Sequence, residues 1–202
     1  MGGALEGAVE LLERSLGYTR VVLADVRPDN LHAATPCSGW DLRRLLAHMD
    51  DALDAFTEAA AGHVEVAPVR PTDQRVDSLR DKACALLGAW TEARPASVDI
   101  GDRVVEAPVL VATAALEITV HGWDVAQATG RRTPIPADLA RGLLPVAEQV
   151  IGPADRRGRF AAPRVDNTST IPSDILLAFV GRMTGPVGWS CSDPASRGEI
   201  AS

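Results

Sequence analysis

The stretch PVLVATAALEITVHGWDVAQA, residues 108–128, decides how this chain is read. It is apolar almost throughout, opens on Pro108 and is followed by Gly130. Proline suits a first helical turn and glycine the position beyond a C-cap. A helix that is apolar nearly all round belongs at the centre of a core. Within it Glu117, His121 and Asp124 stand at i, i+4 and i+7 and share one helical face. A carboxylate buried in such surroundings requires a cation, a proton or hydrogen bonds.

Outward from this helix the chain reads as helical. Leu5, Ala8, Val9, Leu12 and Leu16 recur at helical spacing and predict a first helix from about residue 4 to the mid-twenties, broken by Arg27-Pro28-Asp29-Asn30. Ser38, three residues before Asp41, reads as a variant capping box that starts a second helix, with Trp40 in its first turn. Leu42, Leu45, Leu46, Met49, Leu53 and Phe56 form its apolar stripe up to Gly62, and His48 lies at the stripe's edge. A loop from His63 to Asp73 leads to a third helix carrying Val76, Leu79, Ala83, Leu86, Leu87 and Trp90. Ser97 to Ile100 and Arg103 to Glu106, flanking Gly101-Asp102, read as a short hairpin or extended crossover. Further helices are predicted over Pro136 to Ile151 and Pro172 to Arg182, joined by a loop with Phe160, Pro163 and Asn167. The fold class is therefore all-α, with residues 1–202 taken as one domain, since 202 residues suffice for one core and are short for two.

Composition excludes several classes. Apolar residues make up 46% and charged residues 23%, as in ordinary globular chains. The net charge of −7, with no Lys/Arg cluster, argues against a nucleic-acid partner. Unbroken apolar runs fall short of the roughly 20 residues of a membrane span, and no basic-then-apolar leader opens the chain, so a cytoplasmic protein without membrane contact is expected. Cys37, Cys84 and Cys191 are widely spaced with no CxxC pair, which fits reduced thiols.

Glu117 and His121, one turn apart, can ligate one metal ion, and a third ligand from a facing helix completes the three-ligand plus open-position arrangement of catalytic zinc sites. Of the remaining histidines, only His48 lies on a facing helical stripe; His32 and His63 fall in or beside loops and read as solvent-exposed. A Glu with a His at i+4 also serves as a surface ion pair or a satisfied core histidine. Spacing alone leaves both readings open.

Thr35-Pro36-Cys37-Ser38-Gly39-Trp40-Asp41-Leu42, followed by Leu46-Ala47-His48-Met49, resembles the N-terminal signature of the maleylpyruvate isomerase-like branch of the DinB superfamily. Glu117 through His121-Gly122-Trp123-Asp124-Val125-Ala126, then Gly130, resembles the second signature, and Leu176-Leu177-Ala178-Phe179-Val180-Gly181-Arg182 the C-terminal helix. The resemblance spans nearly the whole chain. It implies an antiparallel four-helix bundle of DinB/YfiT-like type with a divalent metal, zinc or nickel, on His48, Glu117 and His121. It also implies a low-molecular-weight thiol, mycothiol in actinobacteria, whose sulfur takes the open metal position and attacks an electrophilic small molecule in transfer or isomerisation. The isomerase that names the branch has an additional C-terminal domain that contributes to its site. This chain ends too early to hold one, so that specific isomerisation is not expected here.

Asp124 is a candidate catalytic proton carrier or a carboxylate that orients His121. Trp40 and Trp123 are candidate substrate-pocket residues, though tryptophans on helical faces also serve cores. Arg182 has the planar fork that binds a carboxylate of thiol or substrate. Cys37 precedes a helix N-terminus, which favours a thiolate. A metal-dependent hydrolase and a non-catalytic metal- or ligand-binding bundle remain alternatives to the thiol enzyme. A homodimer through an exposed apolar helix face is also open.

Overall fold

The computed structural model describes residues 2–64, 75–92, 95–154, 156, 160–164 and 168–183. Its helices are α1 (Gly2–Leu23), α2 (Leu42–Ala60), α3 (Arg75–Glu92), α4 (Ala107–Ala128), α5 (Ala137–Val150) and α6 (Pro172–Phe179). The expected hairpin is present: β2 (Ser97–Ile100) and β3 (Arg103–Glu106) pair antiparallel across Gly101, whose φ of 60° suits the tight turn. The two residues His63–Val64, expected in a loop, form β1 and pair in parallel with β2. The rest of the expected loop to Asp73, Asn167, and Cys191 lie outside the described residues.

The apolar stretch at residues 108–128 becomes the centre of the bundle. Fifteen of the 22 residues of α4 are buried, so it presents core to its neighbours on nearly every side. It is also long and apolar enough, by length and composition, to cross a membrane, yet 78% of that window is buried inside the fold. Reading only unbroken apolar runs overlooked this, because Thr113, Thr119 and the site residues interrupt it without lowering its mean hydropathy much.

Helix α1 packs closely on α4, and side-chain chemistry explains how. Thr19 of α1 donates its hydroxyl to the Ile118 carbonyl at 2.9 Å, and Thr119 donates to the Ser15 hydroxyl at 2.8 Å. Both contacts are buried and remove hydroxyl groups from solvent with partners supplied. Gly122 faces Thr19: a Cβ placed there would stand 2.5 Å from Thr19 Oγ1. Glycine at 122 is thus what allows the two backbones to come this near.

Helix α2 begins one turn later than the sequence suggests. Asp41, rather than Ser38, is the N-cap and accepts the Arg44 amide at 2.9 Å. The preceding residues form a turn of their own, with the Trp40 amide donating to the Cys37 carbonyl at 3.0 Å and Gly39 at φ 75°. The Thr35 hydroxyl donates to the Trp40 carbonyl at 2.9 Å and accepts the Cys37 amide at 3.2 Å, which closes the loop. Trp40 therefore precedes the helix, and Cys37 is not at its N-terminus.

Helix α3 is fixed to α2 by Lys82, the chain's only lysine. Its ammonium donates to the buried Asp50 and to Asp54, both at 2.7 Å, while the Ser78 hydroxyl donates to Asp50 at 3.0 Å. Burial works against the charged ammonium, but these carboxylates outweigh it and hold the Lys82 pKa above its ordinary value. Helix α6 ends in a Schellman turn earlier than predicted: Gly181 adopts φ 79°, its amide donates to Ala178, and the Arg182 amide donates to the Leu177 carbonyl at 2.7 Å. That turn sends the Arg182 side chain back toward α4.

Replacing Gly122 with alanine is expected to destabilise the fold by about 1–3 kcal/mol through overpacking against Thr19, despite alanine's better helix propensity. Urea unfolding of Gly122→Ala, Thr19→Ala and the double variant checks this. The double variant should recover part of the loss, because the clashing hydroxyl is gone.

Candidate metal centre

The i, i+4, i+7 spacing of α4 and the facing stripe of α2 bring His48, Glu117 and His121 together, with one ligand atom from each lying within 4.8 Å of the others. His121 Nε2 and a Glu117 carboxylate oxygen are 3.2 Å apart. The His48 and His121 rings meet nearly perpendicular at a centroid separation of 5.0 Å. Trp40, which the turn before α2 delivers here, packs edge-on against His48 at 5.1 Å and carries the Arg44 guanidinium 4.9 Å above its ring.

His121 is oriented from behind. Its Nδ1 stands 3.1 Å from Asp124 Oδ2. Arg182 grips the same carboxylate with two donors, Nε to Oδ1 at 2.9 Å and Nη2 to Oδ2 at 2.7 Å. The Cys37 thiol donates to Asp124 Oδ2 at 3.2 Å and accepts from Arg182 Nη2 at the same distance. Asp124 is fully buried. Burial alone would raise its pKa, but the Arg182 charge and the His121 and Arg182 hydrogen bonds hold it below the ordinary carboxylate value. Burial opposes the charge on Arg182 too, and Asp124 more than compensates, so the guanidinium pKa is raised further.

The tautomer follows from this arrangement. With Asp124 ionised, Nδ1 of His121 carries the hydrogen, which leaves Nε2 directed at an anionic Glu117 oxygen. Two acceptors 3.2 Å apart need a cation between or beside them. A proton is one solution: burial disfavours imidazolium, but hydrogen bonds to Asp124, Cys37 and Glu117 outweigh it and raise the His121 pKa well above its usual value. A metal is the other. Ligands on a tetrahedral ion at about 2.0–2.1 Å lie about 3.3 Å apart, which matches the Nε2–carboxylate distance. A carboxylate holding the distal nitrogen of a ligating histidine is also the usual support of such sites. The donor set fits a divalent ion of zinc or nickel type.

Cys37, His121 and Asp124 form a second group of compatible spacing. It is the poorer metal seat, because Cys37 and Asp124 are already bonded to the Arg182 guanidinium, whose charge would face the ion.

Two cavities meet at the Glu117–His121 edge. The larger, about 530 Å³, is walled by Cys37, Trp40, His48, Phe160 and Arg182 among others. The smaller, about 380 Å³, lies between α1, α2, α3 and α4. Of the residues singled out from sequence, Trp40, His48, Glu117, His121 and Arg182 reach the larger cavity. Asp124 and Trp123 line neither; Trp123 is 5% exposed and packs in the core. His32 is exposed and faces Asp41. The contact of Cys37 with Asp124 and Arg182 carried no local signal, since the three are separated by 87 and 58 residues.

A family model described as the mycothiol maleylpyruvate isomerase N-terminal domain matches residues 12–126, more than half of the chain. The chain belongs to that family. The matched segment runs from α1 through α4 and so includes all three candidate ligands and Asp124. Two uncharacterized proteins of Mycobacterium tuberculosis, Rv0738 of strain H37Rv and MT0763 of strain CDC 1551 / Oshkosh, are 31% identical over 178 residues. The alignment covers 84% of this chain and 94% of each of theirs. The crystal structure of the mycothiol-dependent maleylpyruvate isomerase is similar with a TM-score of 0.52 at 20% identity, over 77% of this chain and 72% of that one. A variant of that enzyme with one histidine replaced by alanine gives 0.53 over the same shares. These structures establish the all-α, DinB-like fold; Arg182, which follows α6, falls beyond the segment that the family model matches.

Substituting Arg182 with methionine strands the Asp124 carboxylate in the core, and a loss of about 3–5 kcal/mol is expected on breaking such a pair. Equilibrium urea unfolding is the measurement. A loss under about 1 kcal/mol would mean that water or another donor replaces the guanidinium.

Proposed function

We propose that this chain is a metal-dependent enzyme that uses mycothiol or a similar low-molecular-weight thiol to attack an electrophilic small molecule, as a transferase or isomerase. The observation that carries the reading is the aim of His121. Its rear nitrogen is fixed by the Asp124–Arg182 pair, and its front nitrogen stands 3.2 Å from Glu117 beside His48. Membership of a family named for a mycothiol enzyme supports thiol chemistry at this place.

In this reading His48, Glu117 and His121 would hold a divalent ion, zinc or nickel, at the edge that the two cavities share. When bound, that ion supplies the positive charge that keeps a thiol ionised at neutral pH. The protein's own groups do the rest. Asp124 is a positioning residue: fully buried, it holds the His121 ring in place and keeps the hydrogen on Nδ1. Trp40 backs His48 and forms part of the larger cavity's wall. Arg182 spends two donors on Asp124, yet it lines the larger cavity and remains the candidate for a thiol or substrate carboxylate there. Sulfur attack on carbon forms the S–C bond. Transfer breaks the bond to a leaving group, which departs with its electron pair. Reversible addition to a conjugated double bond moves the pair to the neighbouring atom and frees the former double bond to rotate.

Elemental analysis after chelator-free purification is expected to find about one divalent metal per chain. The metal should be lost in His48→Ala and Glu117→Ala with helicity retained, and kept in Cys37→Ser. With metal present, monochlorobimane should yield a thiol conjugate only when mycothiol is added. Metal-loaded protein that hydrolyses esters but forms no thiol conjugate would replace this reading with a hydrolytic one.

Metal affinity is expected to fall with acidity by about tenfold per pH unit, the slope for one released proton, as His121 protonates in competition with the ion. Because His121 is held well above its ordinary pKa, this decline should extend above the usual histidine value of about 6.5. Zinc titrations between about pH 6 and about pH 8 check it, and a flat profile would contradict His121 as a ligand.

A further inference from the structure

The smaller cavity differs in character from the larger one, although both end on Glu117 and His121. Its walls are aliphatic: Leu16 from α1, Met49 and Leu53 from α2, Leu79 from α3 and Ile118 from α4. Polar side chains gather at its rim, where Glu13, Arg20, Arg80 and Asp81 supply two charges of each sign. A cavity with a balanced rim and an apolar body does not select a charged ligand. Its volume of about 380 Å³ is in the range of small-molecule sites, which run from about 300 to about 1,000 Å³. The larger cavity sets Cys37, Ser38, His48 and Arg182 among apolar walls that include Leu116, Val120 and Ile151, and this greater share of polar groups suits a hydrophilic thiol.

Gly17 lies on the α1 wall of the smaller cavity, and a Cβ built there meets nothing within 4 Å. Glycine in a helix interior costs stability relative to alanine. Unlike Gly122, this glycine is not required by a close helix contact, so its place on the wall leaves space open.

We propose that the smaller cavity seats the electrophilic co-substrate, a neutral small molecule with an apolar body, and that it meets the thiol of the larger cavity at the Glu117–His121 edge. The assignment rests on the thiol-enzyme reading above for the word electrophile; the cavity's preference for an apolar ligand does not. Two substrates seated in different cavities that share the Glu117–His121 edge bring sulfur and carbon together without competing for one seat.

N-phenyl-1-naphthylamine, a neutral apolar fluorophore, is the probe. Its fluorescence should saturate on metal-free and zinc-loaded protein alike. Gly17→Leu on α1 and Ala83→Trp on α3, each with helicity checked by circular dichroism, should weaken binding tenfold or more. Phe160→Ala, in the larger cavity, should change it less than twofold. In the wild type the probe should slow alkylation of Cys84, which lines this cavity and is exposed, read by peptide mass. It should also shift the His121 imidazole resonances, assigned by their loss in His121→Gln. Absence of saturable binding, indifference to both filling variants, or an unmoved His121 signal would overturn the proposal. None of these readings needs thiol or turnover, so a failed thiol reaction leaves them standing and their failure leaves the thiol reaction standing.

Discussion

The buried carboxylate of Asp124 is the point on which the rest of this structure turns. A charge with no exposed surface persists only with partners that restore what water would have given it. Here three separate segments supply them: Arg182 from the turn after α6, the Cys37 thiol from the loop before α2, and His121 from one turn earlier on α4 itself. Satisfying one carboxylate therefore fixes the C-terminal segment, the N-terminal loop and the central helix in a single geometry. The same bonds decide which nitrogen of His121 faces the cavities. Structure and chemistry share one set of hydrogen bonds, and a change that loosens the core here also misaims the histidine.

Much of this was legible in the sequence where the signal was local. The apolar run of α4 and the one-face spacing of Glu117, His121 and Asp124 placed the polar line inside a core, and the stripe of α2 put His48 opposite it. The start of α2 was misread because Ser38 and Asp41 are both competent caps. Which one serves depends on Gly39 adopting a positive φ and on Thr35 closing the turn. Arg182 was singled out for its chemistry, but its partner could not be read, since a Schellman turn at Gly181 reverses its direction. Cys37 looked like a helix-terminus thiol and proved to be a donor to a residue far along the chain. The smaller cavity left no motif, because aliphatic residues from four helices that line a space look the same in sequence as those that fill a core.

The three candidate ligands and their supporting carboxylate form a compact unit on α2 and α4, whereas much of the remaining cavity lining comes from α1, α3 and the segments after α5. Of those walls only Arg182 bonds Asp124, so the other positions can vary without disturbing the polar network. A fold organised this way can keep one site and change what surrounds it.

X-ray absorption at the metal edge of zinc- or nickel-loaded protein, recorded without thiol, decides which group of side chains seats the ion. Only nitrogen and oxygen neighbours at about 2.0–2.2 Å are expected, from His48, Glu117, His121 and water. A sulfur neighbour at about 2.3 Å would contradict this, since it would move the ion to Cys37 and break the network that Asp124 organises.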